Sequence, residues 1–122
     1  MTNIEIYLKL EAGQGIDHLV AKNVLGLDDS TSLMFCPNFS TDMTQAWKIV
    51  ERLSQIARLV NISIYDGLHG NIRDRVVCEG EIGSKSHPNL TRHYWADAPT
   101  APLAICRAAL CAVAMVNLDD KI

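Results

Sequence analysis

The chain has 122 residues, of which 48% are hydrophobic and 20% are charged, so it holds enough apolar material for one folded core. The formal net charge of −3 argues against a basic domain that binds nucleic acid polymers. The N-terminus lacks the basic segment of a signal peptide. The longest apolar stretch, Ala101 to Val116, contains Arg107 and falls short of the roughly 20 residues of a membrane span. We expect residues 1–122 to form a single domain inside a cell, with no membrane partner.

The four cysteines predict neither a disulfide framework nor a zinc site. They stand at positions 36, 78, 106 and 111, with no closely spaced pair of the kind that zinc sites use. Free buried thiols in a reducing compartment explain this pattern best.

The first third of the chain predicts a strand, a helix and a short second strand. Residues Asn3–Glu11 alternate between apolar and polar side chains, which is the pattern of a half-buried strand. Apolar residues then recur at helical spacing from Ile16 to Val24, and Gly26 can end this helix in a left-handed conformation. The short apolar run Leu33–Phe35 predicts an edge strand.

The middle of the chain predicts a capped amphipathic helix followed by a strand. Ser40 or Thr41 can accept hydrogen bonds from the first free amides of the helix. Leu59–Tyr65 is rich in β-branched residues and predicts the strand. The apolar face of the helix is predicted to consist of Met43, Ala46, Trp47, Val50, Leu53 and Ala57.

The last third predicts two strands and a buried helix. Asp74–Ile82 alternates again, Gly83–Leu90 is a polar loop, and His93–Ala96 predicts a short strand. Thr100 can cap a final helix that runs through Val116 and is apolar on nearly every side. This helix should therefore be the most buried element.

The order of these elements predicts an α+β fold, with a mostly antiparallel sheet flanked by three helices as an α-β-α sandwich. We expect two helices on one face of the sheet and one on the other.

Known catalytic motifs are absent from the sequence. There is no G-x-S-x-G elbow, no P-loop and no H-E-x-x-H pair, and Gly13-Gln14-Gly15 is only a fragment of a nucleotide-binding motif. Glu79 and Glu81 share one strand face, a pattern that is more typical of a solvent-exposed face than of acid–base catalysis. The sequence predicts no catalytic residue, no metal site and no cofactor.

Two features favour a binding function. Arg107 is the only charged residue between Asp97 and Asp119, so its guanidinium must reach the surface, a carboxylate or an anionic ligand. Guanidinium suits bidentate phosphate binding. The second feature is the cluster Arg92-His93-Tyr94-Trp95, whose aromatic rings can stack on a nucleobase, although an alternating core strand explains it as well.

Two segments resemble the phage α-β-α sandwich domain family. Phe39–Glu51 (FSTDMTQAWKIVE) is similar to that family's signature at the start of a helix, and Pro102–Leu110 (PLAICRAAL) is similar to its C-terminal helix. Asp17–Ala21 and Val24–Gly26 fit its first helix, so the resemblance spans about residues 16–115 in order.

Within that family the whole chain is similar to phage or prophage Thoeris anti-defence proteins of the first-described type. The resemblance implies a protein that binds glycocyclic ADP-ribose, the signal of a bacterial TIR-domain enzyme, and sequesters it without degradation in the cytoplasm of the infected host. It also implies a homodimer or higher oligomer, and relatives hold cyclic oligonucleotides in separate pockets. The alternatives are an enzyme that cleaves a cyclic nucleotide signal and a phage structural or adaptor module.

The resemblance and the local chemistry together suggest a set of ligand-binding residues. Arg107 lies in a matching motif and is the first candidate for the phosphates. The remaining candidates are Asn38, Phe39 and Ser40 before a helix N-terminus, Trp95 or Tyr94 for base stacking, Asn89 and His93 for ribose or phosphate, and Arg75 for positive charge.

Overall fold

A computed structural model of the chain describes residues 3–27, 36–55, 59–66, 76–83 and 91–120. The described elements form an α+β fold with an antiparallel sheet and helices packed against it, which is consistent with the predicted α-β-α sandwich. In chain order they are α1 (Asn3–Tyr7), α2 (Gln14–Asn23), α3 (Met43–Gln55), β1 (Leu59–Asp66), β2 (Val76–Gly83), β3 (Thr91–Ala98) and α4 (Ala101–Asp120).

The described sheet has three strands in the order β1-β2-β3, and both neighbouring pairs are antiparallel. In β2 the alternating residues Cys78, Gly80 and Ile82 are buried, as the sequence pattern predicts. Gly80 lies opposite Tyr94 of β3. In β3 the alternating residues Tyr94, Ala96 and Ala98 are buried. The predicted strands Leu59–Tyr65, Asp74–Ile82 and His93–Ala96 are confirmed as β1, β2 and β3, and β3 is longer than predicted.

Helix α4 is the centre of the molecule. Every residue from Leu103 to Ala112 is buried, and the helix contacts β2, β3 and the other three described helices. The Thr100 carbonyl accepts the Ala104 amide at 3.1 Å, which closes the first turn where the cap was predicted. The prediction of a central buried helix is confirmed, with an end at Asp120 instead of Val116. No helix in the described ranges is both long and apolar enough to cross a membrane.

The predicted N-terminal strand is wrong. Residues Asn3–Tyr7 form helix α1, and the amides of Lys9 and Leu10 donate to Ile6 and Tyr7 in the turn that follows. A strand needs a neighbouring strand for its hydrogen bonds, whereas a helical turn satisfies them locally. The apolar residues of this alternating pattern are also four positions apart, which places them on one side of a helix. The pattern therefore fits a helix packed against α4 as well as a strand.

Helix α2 and its end agree with the prediction. Gly26 has a φ of 74°, which favours glycine, and the Leu27 amide donates to the Ala21 carbonyl at 3.0 Å. The predicted strand Leu33–Phe35 and most of the predicted loop Gly83–Leu90 lie outside the described residues.

The N-terminal cap of helix α3 and the face that this helix buries both differ from the prediction. The Asp42 carboxylate, instead of Ser40 or Thr41, accepts the amide of Thr44 at 2.8 Å and that of Gln45 at 3.3 Å. The buried face consists of Ala46, Ile49, Val50 and Leu53, while Met43 and Trp47 are exposed. The apolar residues of this helix form two overlapping stripes, one with Met43 and Trp47 and one with Ile49. Packing buries the stripe that contains Ile49. The predicted core residue Ala57 lies outside the described residues.

Tyr94 is a buried residue whose hydroxyl oxygen has no hydrogen-bond partner in the described part of the chain. Burial, with a further contribution from Cys78, raises the pKa of this phenol well above its usual value. We expect Tyr94→Phe to increase the free energy of unfolding by about 1 kcal/mol, because it removes an unsatisfied buried polar group. Urea denaturation measures the change, with Tyr7→Phe at a half-buried position as the control. A loss of stability would contradict the prediction and reveal a hydroxyl partner.

Candidate ligand-binding site

Arg107 connects three parts of the chain from the middle of α4. Its Nε donates to the Leu10 carbonyl at 2.8 Å, and its Nη1 donates to the Asp97 carbonyl at 2.9 Å. Leu10 lies between α1 and α2, and Asp97 lies near the end of β3. The guanidinium therefore holds the N-terminal segment and the sheet against the central helix.

The charge of Arg107 has no carboxylate partner among the described residues. Arg107 is 7% exposed. Among the described residues, its hydrogen bonds go to two neutral main-chain carbonyls, and its Nη2 has no hydrogen-bond partner. Burial of a charge without a counter-ion is costly, and carbonyl dipoles offset only part of this cost. Nη2 is the nitrogen of the guanidinium that these bonds leave for solvent or for an anion.

Strand β3 presents two aromatic residues on the face of the sheet opposite to the core. The side chain of His93 is 51% exposed, and Trp95 is 51% exposed. We predicted a helix on each face of the sheet. In the described ranges, however, this second face is open to solvent at His93 and Trp95, and α4 packs on the face of Tyr94.

Two carboxylate residues of β2 share this exposed face with His93 and Trp95. Glu79 lies directly opposite Trp95 in the strand register, and Glu81 lies opposite His93. The Nε2 atom of His93 is 3.3 Å from Oε2 of Glu79, so the imidazole reaches diagonally across to the next pair. We call Glu79, His93 and Trp95 the outer-face cluster.

Arg107 and the outer-face cluster approach the same strand from opposite faces. Arg107 binds the carbonyl of Asp97, which is two residues beyond Trp95, or about 7 Å along a strand. In the described sheet β3 is an edge strand. In the described ranges, Arg107 and the outer-face cluster therefore lie on opposite sides of an edge strand.

Three other predicted site residues, Tyr94, Phe39 and Asn38, do not join this arrangement. Tyr94 points into the core, and Phe39 is also buried there. Asn38 is exposed, and its carbonyl accepts the amides of Thr41 and Asp42. Asn89 and Arg75 lie outside the described residues.

The buried cysteines show no feature of a reactive or metal-binding site. They are free thiols, and burial raises the pKa of Cys78 to about 12 and that of Cys111 to about 11, so both remain protonated near neutral pH. Among the described residues, no group of His, Cys, Asp and Glu side chains is placed to hold a metal ion.

A comparison with known protein families shows which family this chain matches. The family model of the phage ABA sandwich domain matches residues 18–110, which include the first ten residues of α4 with Arg107. The chain belongs to the phage ABA sandwich domain family. No curated protein and no solved structure matches the chain.

In this phage ABA sandwich domain, the signature at residues 39–51 fixes the fold around α2 and α3. The Ser40 amide donates to Asp17 Oδ1 at 2.8 Å, and the Ser40 hydroxyl accepts the Gly13 amide at 2.9 Å. Ser40 and Asp17 are both buried, and Asp42 caps α3. Both polar groups of Ser40 that were candidates for phosphate binding therefore have partners within the protein.

Sequence reasoning missed two features of the site. Glu79 was interpreted only as part of an exposed strand face, and Asp17 only as part of the segment that resembles the family's first helix. Strand register could have placed Glu79 opposite Trp95 if the pairing of β2 with β3 had been predicted residue by residue. No sequence pattern indicates that Asp17 binds the main chain of Ser40.

Proposed function

We propose that this protein binds a cyclic ADP-ribose isomer, glycocyclic ADP-ribose, and sequesters it without degradation, which would block Thoeris immunity in the cytoplasm of the infected host. The observation that carries the proposal is the buried guanidinium of Arg107, whose partners in the described residues are neutral carbonyls. A diphosphate supplies the negative charge that this position favours.

The exposed indole of Trp95 supports a nucleotide rather than a simple inorganic anion. A flat, half-exposed ring can stack on adenine while the diphosphate reaches Arg107 around the edge of β3. Membership in a phage domain family agrees with an anti-defence role. A homodimer or higher oligomer would enclose such a ligand more completely than one chain of 122 residues. Binding of cyclic oligonucleotides in separate pockets is part of the same proposal.

The direct test is recovery of an intact ligand. The protein is incubated with glycocyclic ADP-ribose, the free ligand is removed by filtration, and the protein is heated before mass analysis of what it releases. Sequestration predicts release of unchanged ligand in a fixed ratio to protein. Product that accumulates with time would instead indicate an enzyme. Absence of any bound nucleotide would favour a structural or adaptor module and overturn the proposal.

Trp95 offers a second test with a matched control. We expect Trp95→Ala to weaken binding of glycocyclic ADP-ribose by about tenfold to a hundredfold, because base–aromatic stacking contributes about 1–3 kcal/mol. Trp47 of α3 is 50% exposed, close to the 51% of Trp95, but lies on a helix outside the site. Trp47→Ala should leave the affinity unchanged in isothermal titration calorimetry. Equal losses in the two variants would contradict stacking on Trp95.

A further inference from the structure

Glu79 is the neighbour of both other members of the outer-face cluster, Trp95 by strand register and His93 by side-chain contact. It lies directly opposite Trp95, and such cross-strand neighbours have Cβ atoms about 5 Å apart. Its Oε2 is 3.3 Å from His93 Nε2, and its side chain is 33% exposed. The carboxylate therefore pairs with His93 on the face of the sheet that carries Trp95, and it still reaches solvent.

The charge around Trp95 restricts which part of a nucleotide can lie there. Glu79 lies directly opposite Trp95 in the strand register. A carboxylate repels phosphate groups, so the diphosphate is disfavoured beside Glu79. Hydroxyl groups are favoured, because an ionised carboxylate has about four acceptor positions and His93 approaches only Oε2.

We propose that Glu79 accepts hydrogen bonds from ribose hydroxyls and sets the orientation of the ligand. In this arrangement the base stacks on Trp95, the adjoining ribose binds Glu79, and the diphosphate lies toward Arg107. His93 is a positioning residue that holds the carboxylate of Glu79. This inference rests on the proposed function and adds a residue that determines specificity for a nucleotide with free ribose hydroxyls.

The test combines protein variants with modified ligands. Binding of glycocyclic ADP-ribose and of analogues that each lack one free ribose hydroxyl is measured by calorimetry for wild type and Glu79→Gln. We expect Glu79→Gln to bind the unmodified ligand about tenfold to a hundredfold more weakly, because a hydrogen bond to a charged acceptor is lost. At least one deoxy analogue should bind the wild-type protein more weakly than the unmodified ligand does. The substitution Glu79→Gln should weaken the binding of this analogue little further. A merely structural role would not produce this coupling.

Glu81→Gln is the matched control, since it removes the same charge from the same strand face, two residues away. We expect it to change the affinity less than twofold, and the unfolding temperature of each variant verifies its fold. Equal loss in Glu81→Gln, or equal sensitivity of wild type and Glu79→Gln to every analogue, would overturn the role of Glu79 while the proposed function stands. Absence of binding by wild type would overturn both.

Discussion

Replacement of Arg107 with alanine is expected to abolish measurable binding of glycocyclic ADP-ribose and to lower the free energy of unfolding by about 3 kcal/mol. The variant loses two hydrogen bonds from a charged donor, to the carbonyls of Leu10 and Asp97, and leaves both carbonyls without that donor in the interior. It also removes the positive charge proposed to bind the diphosphate. Urea denaturation and calorimetry measure the two effects separately.

Further variants separate the structural role of Arg107 from the binding role. Arg107→Lys keeps the charge but not the planar fork, so we expect a folded protein with weakened binding. Arg52 is the control, because its Nε also donates to a main-chain carbonyl, that of Val24, at 3.2 Å, but on a different helix pair. Arg52→Ala should lose about 1 kcal/mol of stability and no affinity. If folded Arg107 variants bind the ligand as tightly as wild type, the guanidinium is only structural.

Asp17→Ala is expected to destabilise the protein by about 2–3 kcal/mol without a direct effect on the ligand site. The buried amide of Ser40 would lose its acceptor, and the loop before α3 would lose its bond to α2. We expect a fall in the unfolding temperature on the order of 10 °C. Differential scanning calorimetry measures this fall, and calorimetric titration at low temperature verifies that affinity is retained.

Two comparisons make the Asp17 result specific. Asp17→Asn keeps a side-chain oxygen that can accept the Ser40 amide, so its loss of stability should be clearly smaller. Asp42→Ala removes the carboxylate that caps α3 and should cost about 1 kcal/mol, the usual value for a helix cap. A smaller effect for Asp17→Ala than for Asp42→Ala would show that the buried bond contributes little.

Elements whose pattern is enforced by burial could be predicted from the sequence. The alternation in β2 and the nearly uniform apolar character of α4 each report directly on the core, so Cys78, Ile82 and Leu110 were placed correctly. Helix α1 was misassigned because a few alternating residues fit a strand and a helical turn equally well. Trp47 was misplaced because only packing decides which of two overlapping stripes is buried.

The candidate site was predictable only in part. Arg107 and Trp95 stand out as single residues of unusual chemistry, and this is visible without a structure. The partners of Ser40 were not predictable, because Gly13 is 27 residues away and the bond depends on how α2 and α3 meet. The pairing of His93 with Glu79 likewise requires the register of β2 and β3, which local sequence does not specify.

The central position of α4 has a consequence for biosynthesis. The hairpins β1–β2 and β2–β3 can form from residues already made, but the helix that covers them follows in the chain. Until about Ala112 has left the ribosome, the apolar side of the sheet around Tyr94 stays uncovered and prone to aggregation. Folding of this domain is therefore completed only after α4 has been synthesised, and a stop codon before residue 112 would yield a chain that cannot close its core.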